Sequence, residues 1–113
     1  SRRGVKPCAL LGDMLELGEY SRLMHDQLGQ YAAQMKVQKL YCYGAMADIV
    51  AEAAIKKGVR ADNVYVSLDS DNPTEMAKMI NSSMQSGDVL LVKASRAVSA
   101  ERVIEALKKI RKK

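Results

Sequence analysis

Gly12, Asp13, Met14, Leu15, Glu16, Leu17 and Gly18 follow the short apolar run Cys8, Ala9, Leu10, Leu11 and precede a helical pattern that begins near Ser21. A strand ending in glycine and two carboxylates, with a helix next, builds a corner that faces a ligand. In open α/β sheets the binding crevice lies beyond the carboxyl ends of the strands. Later apolar runs also end in chemistry-bearing groups: Gly44 after the second, Asp69 and Asp71 after the third, and Lys93, Ser95 and Arg96 after the fourth. If the strands run parallel, these ends share one edge. Carboxylates there can receive an ammonium, and a Lys/Arg pair can receive a carboxylate or phosphate. The set suits a zwitterionic or phosphorylated ligand.

Taken singly, polar residues at strand ends are ordinary loop residues, and Asp69 and Asp71 read as turn and capping residues. Lys93 is harder to assign to a loop. The run before it, Val89 to Val92, reads as a strand buried on both faces, where a charge has little use. His25 stands one step off the apolar stripe of its helix, so a structural histidine and a binding one near the first corner are both open. No Gly-x-x-x-x-Gly-Lys-Ser/Thr loop is present to cradle a nucleotide phosphate, and the dinucleotide Gly-x-Gly-x-x-Gly fingerprint is missing too. No Ser/His/Asp or Cys/His arrangement supports a nucleophile, and no catalytic residue is assigned. His25 is the sole histidine and has no ligand at metal-site spacing, so no metal site is expected.

Strand–helix units must position these residues. The pattern predicts a strand over Pro7 to Gly12 and a helix from Ser21 to Met35, with Tyr20, Met24, Leu28, Tyr31 and Met35 on its inner face. A second strand, Leu40 to Tyr43, leads through Gly44 to a helix with Met46, Ile49, Val50 and Ala53 inward. That helix stops at Lys56, Lys57 and Gly58. A third strand, Val64 to Leu68, precedes a helix opened by Asn72, Pro73 and the capping-box partner Glu75. Its stripe is Met76, Ile80 and Met84, and Gly87 ends it. The fourth strand is followed by a helix from Ser99 that buries Val103, Ile104, Leu107 and Ile110. Alternation of this kind predicts a small Rossmann-like, three-layer α/β domain, with a mainly parallel sheet and helices on both faces.

The 113 residues suffice for one domain, spanning 1–113, and nearly half are hydrophobic. Phe and Trp are absent, so aliphatic residues and Met must fill the core. The formal charge of +5 comes from the ends: Arg2, Arg3 and Lys6 on one side, Lys108, Lys109, Arg111, Lys112 and Lys113 on the other. The body between is mildly acidic. The tyrosines read mostly as strand or helix-core residues, which leaves no stacking surface, and nucleic acid is not expected as a partner. Cys8 and Cys42 read as small buried hydrophobes of a cytoplasmic protein rather than a disulfide pair. No apolar run approaches the roughly 20 residues of a membrane span, and no signal peptide is visible.

Leu11 to Gly18, Leu-Gly-Asp-Met-Leu-Glu-Leu-Gly, followed by Glu19, Ser21 and His25, resembles the C-terminal domain of the Mur ligases. Within that family the likeness is to the branch adding D-alanyl-D-alanine to UDP-N-acetylmuramoyl-tripeptide. Asp88 to Arg96, Asp-Val-Leu-Leu-Val-Lys-Ala-Ser-Arg, is similar to that branch's Asp-x-x-Leu-x-Lys-Gly-Ser-Arg segment, with Ala94 where glycine is usual. Gly44 also fits.

The resemblance implies a bacterial, cytoplasmic enzyme of peptidoglycan precursor synthesis. Such enzymes form an acyl phosphate with ATP and Mg2+, which the incoming amine then attacks. ATP and metal would be bound mainly by a central ATPase domain of the same parent chain, and the UDP-sugar by an N-terminal one. This chain would supply the domain that brings the amino substrate and closes over the ATP. Asp13, Glu16, His25, Lys93, Ser95 and Arg96 are the implied substrate- and ATP-binding residues. The family's Asp-x-Tyr-Asn-x-Asn-Pro segment is not in the chain, which is therefore expected to be an excised, monomeric piece, inactive alone. Two alternatives stand beside this: a free-standing module that binds a small zwitterion, and a domain of another Mur-like amino acid ligase.

Overall fold

Five residues without a charge, Cys8–Gly12, form the first strand (β1), and every one of them is buried. The structure, a computed structural model, describes residues 7–14, 17–93 and 98–112. A short 3-10 turn at Gly18–Tyr20 leads into α1 (Ser21–Gln34). There follow β2 (Lys39–Tyr43), α2 (Ala47–Lys56), β3 (Val64–Ser67), α3 (Pro73–Ser83), β4 (Leu90–Lys93) and α4 (Val98–Arg111). The strands form one parallel sheet in the order β3-β2-β1-β4. The α/β class, the parallel sheet and the helix-covered faces are as the sequence predicts.

Alternate residues of the central strands face opposite ways, and each set seeds its own core. Ala9, Leu11, Leu40 and Cys42 pack with Leu28 and Ala32 of α1 and Ala47, Val50, Ala51 and Ala54 of α2. Cys8, Leu10, Tyr41 and Tyr43 pack on the other face with Met76, Ala77 and Ile80 of α3 and Val103 of α4. Tyr41 supplies the bulk that Phe would otherwise give. Its ring stacks on Tyr65 at 5.0 Å between centroids, and its hydroxyl pairs with Ser83 Oγ at 2.6 Å. The Tyr43 hydroxyl donates to the Ser70 carbonyl at 2.7 Å. Buried phenols of this kind need such partners.

Three sequence expectations fail here. The inner face of α1 holds only in part: Leu28 is buried and Met35 packs against the core as expected, but the other buried positions are His25, Gly29 and Ala32, whereas Tyr20 is 60% and Tyr31 46% exposed. The cause is the close approach of α1 to α2. A Cβ on Gly29 would overlap the carbonyl oxygen of Val50 and lie 2.8 Å from Ala53 Cβ. Gly29 and Ala32 therefore take positions on the face that larger apolar residues were expected to fill.

Second, β4 is not buried on both faces. It pairs only with β1 among the described residues, and Leu91 and Val92 are 40% and 47% exposed. Leu91 and Val92 line an open apolar groove of about 290 Å³ with Leu11, Tyr31, Ala32 and Met35. An apolar run marks a strand, but the crossovers decide its place in the sheet. The case for Lys93 from double burial lapses accordingly, since lysine is common on edge strands.

Third, α3 ends at Ser83, because Met84 is already extended; Gly87, with φ of +92°, shapes the turn beyond it. The start of α3 is as expected in its cap: Asn72 Oδ1 accepts from the Glu75 amide at 3.1 Å, and Pro73 opens the first turn. The Glu75 carboxylate does not close a capping box. It accepts instead from Ser67 Oγ at 2.7 Å, tying the helix to the end of β3.

Candidate functional site

Chain order runs outward from β1 through β2 to β3, then returns across the sheet to place β4 on the other side of β1. The carboxyl ends of β1 and β4 are therefore the point where the winding reverses. Crevices at such points are where open α/β sheets bind ligands. In the parallel pairing Leu11 lies opposite Lys93, so the corner after Gly12 and the residue that closes β4 reach the same edge. Asp13 and Lys93 are thus brought to one rim. Glu16, Ser95 and Arg96, like Ala94, lie outside the described residues.

Asp13 is already engaged. Its Oδ2 accepts from the Ala45 amide at 2.8 Å and its Oδ1 from the Met46 amide at 3.0 Å. Both donors sit at the start of α2, where unpaired amides and the helix dipole favour an anion. The carboxylate from one strand end caps the helix that follows the next strand. Gly44 makes room for it with φ of +120°, and its own amide donates to the Ser67 carbonyl at 2.9 Å. The corners after β1, β2 and β3 are in this way linked in series.

His25 is fully buried and lies against the first corner rather than open to solvent. Its Nε2 accepts from the Met14 amide at 3.0 Å, and its Nδ1 lies 2.7 Å from the Ser21 carbonyl oxygen. Periodicity missed this contact, because a histidine off the apolar stripe gives no signal of facing a loop amide. Asp69 and Asp71 form a turn at the end of β3, with the Asp71 amide donating to Asp69 Oδ1 at 2.9 Å, as their sequence reading has it.

The α2 amides are filled by Asp13. No group of three His, Cys, Asp or Glu side chains is placed to hold a metal ion among those residues. What the edge offers is a fixed corner beside the end of β4.

A family profile described as "Mur ligase, glutamate ligase domain" matches residues 2–96. The chain belongs to the Mur ligase family. Curated relatives bear the name UDP-N-acetylmuramoyl-tripeptide--D-alanyl-D-alanine ligase. The one from Bacillus subtilis is 28% identical over 90% of this chain and 21% of its own length. The one from Mycobacterium tuberculosis is 32% identical over 88% of this chain and 21% of its own. This Mur ligase domain spans about a fifth of the curated relatives it matches.

Among solved structures, the MurF ligase from Thermotoga maritima in complex with ADP superposes with a TM-score of 0.64 at 33% identity, over 93% of this chain and 22% of that one. MurF from Acinetobacter baumannii has a TM-score of 0.71 at 21% identity, over 96% of this chain and 23% of that one, which supports the fold. The resemblance read from Leu11–Gly18 and Asp88–Arg96 is thereby established at the level of the family and fold. No helix among the described residues is long and apolar enough to cross a membrane.

Proposed function

We propose that this chain is the C-terminal, substrate-closing domain of an ATP-dependent ligase that adds D-alanyl-D-alanine to UDP-N-acetylmuramoyl-tripeptide in the bacterial cytoplasm. The observation that carries the reading is the meeting of two family-like segments at one carboxyl edge. The first segment ends β1 at Leu11 and Gly12, and the second ends β4 at Lys93, with Leu11 opposite Lys93. Lys93, Ser95 and Arg96 receive the incoming carboxylate or the phosphates. Glu16 offers a charge for the ammonium. Asp13 and His25 belong to the same binding corner, and their bonds to backbone amides support a role in its shape.

The reaction class explains why such a domain must close. An acyl phosphate is hydrolysed by water, so a site that forms one has to exclude solvent before the amine attacks. ATP and Mg2+ act in the full-length enzyme on a central ATPase domain of the parent chain, the principal partner of this one. On this reading the chain works as a monomeric part of one polypeptide and has no turnover alone.

A domain exchange tests this. The matching segment of the Bacillus subtilis ligase is replaced by this chain, and phosphate release is followed with ATP, Mg2+, UDP-N-acetylmuramoyl-tripeptide and D-alanyl-D-alanine. Turnover by the chimera and none by the chain alone is the expected result. A Lys93→Ala change should raise KM for the dipeptide about tenfold, the loss of one charge-assisted contact. A folded chimera that releases no phosphate would sink the proposal. Tight calorimetric binding of D-alanyl-D-alanine by the isolated chain would instead favour a free-standing zwitterion module.

A further inference from the structure

The two backbone groups that face the His25 ring leave it no choice of tautomer. The Met14 amide can only donate, so Nε2, 3.0 Å away, must be the bare acceptor. The Ser21 carbonyl can only accept, so Nδ1, 2.7 Å away, must carry the proton. Ser21 Oγ lies 3.4 Å from the same nitrogen. The ring is fully buried.

We infer that His25, as the neutral Nδ1–H tautomer, is a positioning residue that pins the corner after β1 to the first turn of α1 through the Met14 amide. Asp13, one residue earlier, pins the same corner to the start of α2 at Ala45 and Met46. Successive residues are thus anchored to two different helices. The corner is held from both sides before any ligand arrives, which removes an ordering cost from binding. Glycine at position 29 lets α1 and α2, the two helices that hold the corner, approach closely. The consequence for ligand affinity rests on the proposed substrate-facing role of this edge; the anchoring itself does not.

Two kinds of measurement test it on the chain as it is. Long-range 1H–15N correlation of the 15N-labelled protein should show His25 with Nδ1 protonated and Nε2 bare. A ring protonated on Nε2 overturns the inference. Hydrogen exchange then compares His25→Gln, whose amide oxygen can take the place of Nε2, with His25→Asn, whose shorter side chain matches only Nδ1. Exchange of the Met14 amide should be about tenfold faster in His25→Asn and near the parent value in His25→Gln, with the β1 amide of Leu10 unchanged in both. Equal Met14 protection in the two variants would overturn it. If His25→Asn does not fold, the tautomer of the parent protein still decides. In the chimeric ligase His25→Asn should raise KM for the dipeptide more than it lowers kcat. An unchanged KM alongside the expected tautomer and exchange would count against the substrate-facing edge and leave the anchor standing.

Discussion

A Cβ on Gly44 would lie 2.5 Å from Cγ of Asp13 and 2.6 Å from both its carboxylate oxygens. The glycine that ends one strand is thus fitted to the carboxylate that leaves its neighbour, and the fit decides whether α2 keeps its cap.

Gly44→Ala should therefore be costly twice over. It strains a backbone at φ of +120° and displaces the Asp13 side chain. Together these should lower stability by roughly 2–4 kcal/mol in urea unfolding. Asp13→Ala should lose roughly 1–2 kcal/mol, as other helix caps do. The double variant should fall short of the sum, since both changes remove the same two hydrogen bonds. Strict additivity would show that the two residues act independently.

Gly29→Ala reverses an ordinary rule. In the middle of a helix that change usually gains up to about 1 kcal/mol. Here the added methyl meets the Val50 carbonyl and Ala53, so α1 and α2 must separate. A loss of roughly 1–3 kcal/mol is expected in thermal or urea unfolding. A stabilised variant would mean that the two helices are less tightly apposed than described.

Alkaline pH should destabilise the fold through two buried acids. Burial pushes the Cys42 thiol from its ordinary 9.0 up to about 12. Burial also takes the Tyr41 phenol from 10.0 to about 12, against the smaller opposing effect of its hydrogen bond to Ser83. Both groups keep their proton longer in the folded chain than in the unfolded one. Stability from them is whole below pH 9 and declines as pH rises towards 12. Cys42→Ala should flatten the first part of that decline in urea midpoints measured from pH 8 to 11. An unchanged slope would argue against the burial of this thiol.

Lys36 closes α1 in the left-handed region, with φ of 55°. Its amide donates to the Ala33 carbonyl at 3.0 Å, so the conformation is built into the helix end. Glycine takes that conformation without a Cβ penalty. Lys36→Gly should gain about 0.5–1 kcal/mol after the extra entropy of the unfolded glycine is counted. Destabilisation on urea titration would show that the lysine side chain contributes more than its backbone strain removes.

Much of this chain was legible one residue at a time. Strand positions followed from short apolar runs, helix starts from signals such as Asn72–Pro73, and the end of α2 from Lys56, Lys57 and Gly58. Those choices are local, because backbone preferences and caps act within a turn. The Leu11–Gly18 segment carried the family likeness for the same reason: it is contiguous. The face of α1, the edge place of β4, the Asp13 cap on α2 and the Met14–His25 contact were decided only by tertiary structure. Each depends on which element lies beside which, a matter of crossovers and close packing that no stretch of sequence spells out. Asp13 and Gly44 are 31 positions apart, and only the parallel pairing of β1 with β2 sets them side by side.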